Sequence, residues 1–303
     1  MNHETAVSNA KEIADRILAP AAGQDDRNAR FSSEAVAALG QAGLLGIMLP
    51  TEAGGSELGP RTFAAVIATL AEADASAAMV YLMHTSATAT IAAARPDAAV
   101  AQTLKDISAG RHLTTLAFSE AGSRSHFWAP VSRAERNGAN VCITARKSWV
   151  TSAGHAQSYV VSALAPEGKG PTDSTLYLFA SGTPGLSVAG PWDGFGMRAN
   201  ASAPMILEGC EVGPGLQLTD DGAGFKAMLE IVLPLFNLGT SAVALGLCRA
   251  AVAGTAAHLK TARFEHLGQT LGEKPADASR SACDDADRHR WARGARRRSD
   301  RSS

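Results

Sequence analysis

Seven short apolar segments between residues 113 and 210 constrain the fold more than any other feature of this sequence. Turn sequences such as Asn137-Gly138 and Pro184-Gly185 separate the segments, which lie at 114–119, 131–135, 141–145, 158–163, 174–179, 186–189 and 205–209. This many short strands within about a hundred residues predicts an antiparallel β-sandwich or β-barrel, and we favour the barrel. No segment of crossover-helix length separates the strands, so a doubly wound nucleotide-binding fold is not expected.

Helical patterns flank this β segment on both sides. Before it, helices are predicted at 4–21, from Ser32 or Ser33 to Gly43, at 61–73 and at 76–94, with a charged connector from Pro20 to Arg30. After it, a helical pattern runs from Phe225 to Arg263, and Pro234 should kink this helix or mark its effective start. The fold class is therefore α+β, with an N-terminal all-α domain at 1–112, a central antiparallel β-barrel domain at 113–212 and a C-terminal helical segment at 213–272.

The last part of the chain, residues 273–303, differs in composition from the rest. It is rich in Arg, Asp, Ser and Ala, has almost no aliphatic side chains and contains Arg293-Gly-Ala-Arg-Arg-Arg298. Such a segment cannot bury a core, so we expect a disordered Arg-rich tail. A basic tail that binds nucleic acid and a tail without function are both alternatives. We favour a third interpretation, in which the reading frame or the gene is altered after residue 272.

Composition sets the broad class of the protein. The chain is 46% hydrophobic and 19% charged, with a net charge of −1, which gives no general argument for binding to nucleic acid or to an acidic membrane surface. Its four cysteines are far apart, so we expect free thiols in a reducing compartment and no metal site. The N-terminus lacks the features of a signal peptide, and a cytoplasmic location is expected.

The two most apolar stretches are predicted to be core helices rather than membrane spans. His84 interrupts the first, at 77–94, and Arg249 interrupts the second, at 239–257. We expect His84 to be a core histidine whose ring nitrogens are hydrogen-bonded, rather than a catalytic base.

The stretch from Leu116 to Thr151 carries the residues that suggest a binding site. Alternation along a strand places Trp149 and Thr151 on the same face. A flat ring system could stack on Trp149 while Thr151 bonds its polar edge, and Ser119 could add a second polar contact. The alternative is a buried tryptophan in an ordinary β core with two solvent-facing hydroxyls, and the residues alone favour this alternative.

Four motifs in this order resemble the acyl-CoA dehydrogenase family. They are Leu39-Gly-Gln-Ala-Gly-Leu44 with Leu49-Pro-Thr-Glu-Ala-Gly-Gly55, Ser119-Glu120, Lys147-Ser-Trp-Val-Thr151 and Gly196-Met-Arg-Ala-Asn200. Each is weak alone, but together they span residues 39–200 and follow the family's order of helical, β and helical domains. The resemblance implies a C-terminally truncated or frame-altered member with an incomplete C-terminal helical bundle.

The resemblance also implies a flavin, normally FAD with FMN as the alternative, between the β domain and the C-terminal helices. By position, Trp149 would pack on the isoalloxazine and Thr151 would bond its edge near N5. Ser125 would lie near the acyl thioester, and Arg263 would bind the pyrophosphate of a neighbouring subunit's FAD. The pyrimidine side would be lined by Leu116, Phe118 and Ser119.

Three functions follow from the resemblance and from the departures from the family's pattern. The leading hypothesis is an oxidoreductase that oxidises the Cα–Cβ bond of an acyl-CoA, as a homodimer or homotetramer, with an electron-transfer flavoprotein as acceptor. No residue matches the family's catalytic glutamate, and Glu230 is not assigned that role. The unusual loop at 123–128 keeps open a reduced-flavin-dependent monooxygenase that is served by a flavin reductase. The missing base keeps open a catalytically inactive fragment.

Overall fold

The computed structural model describes residues 1–94, 97–124, 126–266 and 268–273. The chain divides into two compact units, Met1–Gly246 and Leu247–Ser303. The predicted tail lies outside the described residues, apart from Glu273. The predicted domain boundaries at residues 112 and 212 stay predictions.

The first part of the chain is helical, as predicted, but it contains more helix than the sequence patterns indicate. Its helices are α1 (His3–Ile13), α2 (Ala19–Asn28), α3 (Ser33–Gln41), α4 (Pro60–Ala71), α5 (Ala75–Ala92) and α6 (Ala98–Ser108). A π-helical turn at Ala14–Leu18 joins α1 to α2 without a break. The expected connector from Pro20 to Arg30 is therefore wrong, because Pro20 lies in the first turn of α2, where the missing N–H is tolerated.

Helix α6 was not expected from the sequence. The Asp97 carboxylate accepts a hydrogen bond of 2.8 Å from the backbone N–H of Ala99 and so caps the helix N-terminus. Only Val100 and Ile107 of this helix are buried. The apolar stripe is thus too narrow to give a strong periodic signal.

Helix α5 is the central buried helix that its small and apolar sequence predicts. Asp74 caps it by accepting from the N–H groups of Ser76 and Ala77. The His84 ring is fully buried; its Nδ1 accepts from the N–H of Thr114 at 3.1 Å, and its Nε2 lies 3.1 Å from the carbonyl oxygen of Leu45. These contacts fix a neutral ring with the proton on Nε2, so His84 is a satisfied core histidine, as expected.

All seven predicted strands are present. They are β1 (Thr114–Ala117), β2 (Ala134–Asn137), β3 (Asn140–Val150), β4 (Ser158–Leu164), β5 (Ser174–Ala180), β6 (Leu186–Val188) and β7 (Ala203–Val212). They form a three-stranded sheet in the order β1-β4-β5 and a four-stranded sheet in the order β2-β3-β7-β6. The structure does not show the expected antiparallel barrel as a closed sheet: the seven strands form two sheets, and β1 pairs with β4 in parallel. The strand patterns fixed where strands occur but not the direction in which β1 and β4 pair.

After the β segment the chain becomes helical again, in α7 (Gly224–Ala227), a π-helical turn at Met228–Val232 and α8 (Leu233–Thr261). Pro234 follows the π turn, so the irregularity expected at this proline lies just before it. A Cβ at Gly239 would lie 2.5 Å from Cδ1 of Leu82, so a glycine is needed for this close helix approach. Among the described residues, Gly224–Thr261 is the one helix long and apolar enough to cross a membrane, and 28% of its most apolar window is buried.

The described part of the second unit contains the end of α8 and a short hairpin. Its strands are β8 (Arg263–Phe264) and β9 (Gln269–Thr270), which pair antiparallel. The N–H of Leu271 donates to the carbonyl oxygen of Ala262 at 2.8 Å and closes the hairpin against the helix end. The expected helix to Arg263 therefore ends at Thr261.

We predict that His84 makes stability depend on pH between about 7 and 4. Burial lowers the pKa of the ring from 6.5 to about 4. As the pH falls from 6.5 towards 4, the unfolded chain binds a proton that the folded chain does not, so stability is lost by at most on the order of 3 kcal/mol. Urea denaturation at several pH values measures this loss as a fall in the free energy of unfolding.

The matched control for this prediction is His84→Gln. Its amide oxygen can accept from Thr114 and its amide nitrogen can donate to Leu45, but it does not titrate. The variant should lose less stability on acidification than the wild type. Parallel pH profiles for the two proteins would contradict the assignment.

Candidate functional site

A cavity of about 260 Å³ lies in the first unit, between the end of β3 and the helical segments. Residues of β1 and the loop after it form one wall, and residues of α5, the π turn and α8 form the opposite wall. The lining residues are Met83, Leu116, Phe118, Ser119, Phe127, Ser148, Trp149, Val232 and Phe236. Four of the predicted flavin contacts, Leu116, Phe118, Ser119 and Trp149, thus come together in one place.

Trp149 reaches the cavity because β3 is irregular at this point. The pairing of β3 with β7 shifts register between Lys147 and Val150, and Trp149 has a φ of 58°. Such a β-bulge re-aims the side chains next to it. The indole is 64% exposed and meets Trp192 edge to face, with ring centroids 5.5 Å apart. The alternative of a tryptophan buried in a β core is therefore wrong.

The same bulge overturns the expectation that Trp149 and Thr151 share a face. Thr151 follows the last residue of β3, its side chain is buried, and its hydroxyl lies 3.0 Å from the hydroxyl of Ser202. Thr151 is not among the residues that line the cavity. Simple alternation fails because the extra residue in the bulge reverses which side the next side chain takes. The predicted contact of Thr151 with a flavin stays a prediction.

Two serine hydroxyls supply the polar part of the cavity wall. Neither Ser119 nor Ser148 makes a side-chain hydrogen bond to another described residue, and the backbone N–H of Ser148 donates to the carbonyl oxygen of Ser119 at 2.8 Å. The backbone bond holds the two residues side by side. Sequence reasoning missed Ser148, although it occupies the variable position of the Lys-x-Trp motif.

A buried ion pair lies directly beside these two serines. Nζ of Lys147 is 2.5 Å from Oε1 of Glu120, and it also donates to the carbonyl oxygens of Ser162, at 2.6 Å, and Phe118, at 3.5 Å. The Glu120 carboxylate accepts further bonds from the N–H groups of Val131 and Ser132 and from the Ser132 hydroxyl. The pair therefore joins β3 to the ends of the loop between β1 and β2.

Burial and mutual attraction act in opposite directions on the pKa of each member of the pair. Burial alone would raise the pKa of the Glu120 carboxyl, but the Lys147 ammonium and the bonds from Ser132 hold it below its ordinary value of 4.5. Burial lowers the pKa of Lys147 from 10.5, and Glu120 opposes that shift. The pair is thus held by mutual attraction and by hydrogen bonds to both partners.

Aromatic side chains enclose the loop side of the cavity. Phe127 lines it directly, while Trp128 packs edge to face on Phe225, with ring centroids 5.4 Å apart, and on His126, at 5.3 Å. Ser125, the predicted substrate contact in this loop, lies outside the described residues.

The helical wall of the cavity is apolar. It contains Val232 at the end of the π turn and Phe236 one turn into α8. Glu230, which precedes them, is largely exposed and lies 4.0 Å from Lys226, so it is not part of the wall. None of the nine lining residues carries an ionisable side chain.

Arg198, in the motif at 196–200, and Arg263, the predicted pyrophosphate contact, are not among the residues that line the cavity. The N–H of Arg198 donates to Oδ1 of Asp26 at 3.0 Å, and its guanidinium bonds Asp193, so this residue ties the β segment to α2. Arg263 lies in β8 of the second unit and is exposed. Its proposed contact with a pyrophosphate stays a prediction.

Two features of the residues that line the cavity fit the ring system of a flavin. Its walls are mostly aliphatic and aromatic, which suits a flat ring, and its two serine hydroxyls have both a free donor and a free acceptor for the polar edge. A volume of about 260 Å³ suits a ring system but not a whole dinucleotide. No group of three or more His, Cys, Asp or Glu side chains among the described residues is placed to hold a metal ion.

Comparison with known proteins agrees with this geometry. The curated relatives include the probable acyl-CoA dehydrogenase YngJ of Bacillus subtilis, 27% identical over 252 residues, with 82% of this chain and 66% of the relative covered. They also include the mitochondrial short-chain specific acyl-CoA dehydrogenase of Mus musculus, 26% identical over 251 residues, with 82% and 61% covered. The chain therefore spans less than two thirds of the length of these relatives.

Solved structures share the fold. Butyryl-CoA dehydrogenase from Megasphaera elsdenii superposes with a TM-score of 0.89 at 22% identity, covering 96% of this chain and 76% of that one. A chain from the structure of the electron transferring flavoprotein of Acidaminococcus fermentans gives a TM-score of 0.89 at 24% identity with the same coverage. An FAD-dependent dehydrogenase gives 0.79 at 21% identity, covering 97% and 76%.

Family models match most of the chain in succession. The model described as "Acyl-CoA dehydrogenase, N-terminal domain" matches residues 1–111, and the one described as "Acyl-CoA dehydrogenase, middle domain" matches residues 115–210. The cavity lies where residues of both matched segments meet the helix that follows them. By these matches, the chain belongs to the acyl-CoA dehydrogenase family.

Proposed function

We propose that this chain binds FAD and acts as an acyl-CoA dehydrogenase-like oxidoreductase on the Cα–Cβ bond of an acyl-CoA. The observation that carries the proposal is the cavity, in which an exposed indole and two unpartnered hydroxyls lie among apolar walls. Family membership supports it, and one structure of the same fold is that of an FAD-dependent dehydrogenase.

Each wall of the cavity has a part in holding the flavin. The Trp149 indole would pack on the ring system, and the hydroxyls of Ser119 and Ser148 would bond its polar edge. Leu116 and Phe118 form the apolar floor, since both are buried where β1 ends. The cavity has no room for the rest of the FAD; Thr151 remains a proposed contact of the flavin edge, and Arg263 a proposed contact of the pyrophosphate of a neighbouring subunit's FAD.

Bound FAD would supply a hydride acceptor for oxidation of the substrate. The chain's own contribution at this cavity is to bind, to orient and to exclude water. Met83, Val232 and Phe236 make the wall opposite the serines apolar, which keeps the reacting region dry. The base that removes the α-proton is not among the nine lining residues.

The proposed partners follow from the proposed acyl-CoA dehydrogenase-like function. The substrate is an acyl-CoA, and an electron-transferring flavoprotein takes the electrons; a structure of such a flavoprotein system contains a chain of the same fold. We also propose a homodimer or homotetramer, because most of the apolar window in Gly224–Thr261 is not buried. The cytoplasmic location is a separate proposal. A monomeric mass by light scattering would contradict the assembly.

A second candidate is a catalytically inactive module that binds flavin without oxidising acyl-CoA. The observation that favours it is that none of the cavity's lining residues ionises, so none can act as general base. The two candidates differ only in chemistry and share the flavin site.

Anaerobic mixing of the FAD-loaded protein with acyl-CoA tests the reaction. We expect the flavin absorption band to bleach with at least one of a short-, medium- or long-chain saturated acyl-CoA, because the ring accepts the hydride. Stopped-flow or static absorbance measures the bleaching, and dithionite gives the fully reduced reference. A flavin that dithionite reduces but no acyl-CoA bleaches would overturn the dehydrogenase and favour the inactive module.

Trp149→Ala tests the proposed ring contact. Loss of the stacked indole should weaken FAD binding roughly tenfold, equivalent to about 1.4 kcal/mol. Titration of FAD, followed by quenching of its fluorescence, gives the dissociation constant.

The matched control is Phe195→Ala, since Phe195 is also an exposed aromatic of the β region but does not line the cavity. It should bind FAD as the wild type does. Equal affinities for the wild type and Trp149→Ala would show that the flavin does not use this indole.

A further inference from the structure

The buried pair of Lys147 and Glu120 stands in a specific relation to the cavity. Ser119 precedes Glu120 in the chain, and Ser148 follows Lys147, so each hydroxyl of the cavity is the direct neighbour of one member of the pair. An isolated antiparallel bridge joins Glu120 to Lys147, and the N–H of Ser148 bonds the carbonyl oxygen of Ser119. The contacts that hold the pair in place therefore also hold the backbone of both serines.

Each member of the pair has several polar partners. The Lys147 ammonium has three oxygen partners, and the Glu120 carboxylate has the ammonium and three donors from Val131 and Ser132. Both side chains are almost completely buried. A buried ion pair is poor evidence for stability, because desolvation of the two charges offsets their attraction, whereas its directional bonds specify one geometry.

Lys147 is also the last residue of β3 before the register shift that turns out Trp149. It pairs with Met205 of β7, and the next regular pair is Val150 with Ala203. Its ammonium is anchored to Ser162 of β4, in the other sheet. The position at which the bulge begins is thus tied to both sheets.

We propose that Lys147 and Glu120 are positioning residues for the flavin ring. The ion pair sets the spacing of the Ser119 and Ser148 hydroxyls and the starting point of the bulge that presents Trp149. Neither charged group lines the cavity, so the pair acts through its neighbours. The inference rests on the proposed flavin site.

The test compares FAD binding with stability in the double variant Glu120→Gln/Lys147→Met. Glutamine keeps an acceptor for the N–H groups of Val131 and Ser132, and methionine keeps most of the lysine volume, so the fold has a neutral replacement for the pair. We expect FAD to bind about tenfold more weakly at a temperature where circular dichroism shows the variant to be folded. The absorption band of bound flavin should also shift towards that of free flavin.

The control for general destabilisation is Leu39→Ala, a buried residue of α3 that does not line the cavity. This substitution should lower the melting temperature. It should keep the FAD affinity within about twofold of the wild type, which corresponds to about 0.4 kcal/mol. Equal loss of affinity in this control would show that binding follows stability alone, and would overturn the proposal. So would unchanged affinity and an unchanged spectrum in the double variant.

Lys147→Arg covers the case in which the double variant does not fold. The charge stays, but the guanidinium is bulkier and planar, so it cannot make the three bonds of the ammonium in the same geometry. We expect folded protein with weaker FAD binding and a shifted flavin spectrum, and wild-type values for both would contradict the positioning role. If the wild type itself binds no FAD, the proposed function fails, which is a different outcome from any variant result.

Discussion

The contact between Lys147 and Glu120 is the interaction on which the site depends. It crosses from β3 to the segment after β1 and, through Ser162, to the second sheet. Glu120 also holds both ends of the loop between β1 and β2, since it lies near the start of the loop and its carboxylate accepts from the backbone N–H groups of Val131 and Ser132 at the other end. Two charges removed from water are tolerated here because each has several directed partners. The backbone positions of the neighbouring residues, Ser119 and Ser148, are fixed by these contacts.

The cavity takes its shape from two local irregularities in otherwise regular elements. A bulge at the end of β3 turns Trp149 outward, and a π-helical turn before Pro234 places Val232 at the opposite wall. Irregularities of both kinds occur at functional sites because they direct side chains where a regular element would not. Between them lies a mostly apolar space with two serine hydroxyls for polar contacts. Such a space suits a neutral, flat ring better than a charged small molecule.

The sequence predicted the elements well where pattern and burial agree. All seven strands were found, α5 was recognised as a buried helix, and His84 was recognised as a core residue, because each follows from periodicity and local composition. The predicted connector at Pro20 is wrong because a proline in the first turn of α2 does not interrupt the helix. Helix α6 was missed because it buries only two side chains. The parallel pairing of β1 with β4 depends on contacts between distant segments, which strand periodicity does not encode.

The site was predicted in part for the same reasons. Resemblance to the family located Leu116, Phe118, Ser119 and Trp149, and all four line the cavity. Alternation placed Thr151 wrongly because a bulge inserts an extra residue, and bulges have no strong sequence signal. Lys147 and Glu120 belong to two separate motifs of the sequence, and their ion pair forms only because the fold brings those motifs together.

The most direct test of this account is the visible absorption spectrum of the purified protein, with the released cofactor identified. Bound flavin is expected at about one per chain after loading, and it should be released as FAD. Release of FMN instead would favour a reduced-flavin monooxygenase on this fold. No bound flavin, even after incubation with both cofactors, would contradict the central claim that Leu116, Ser119, Ser148 and Trp149 form a working flavin site.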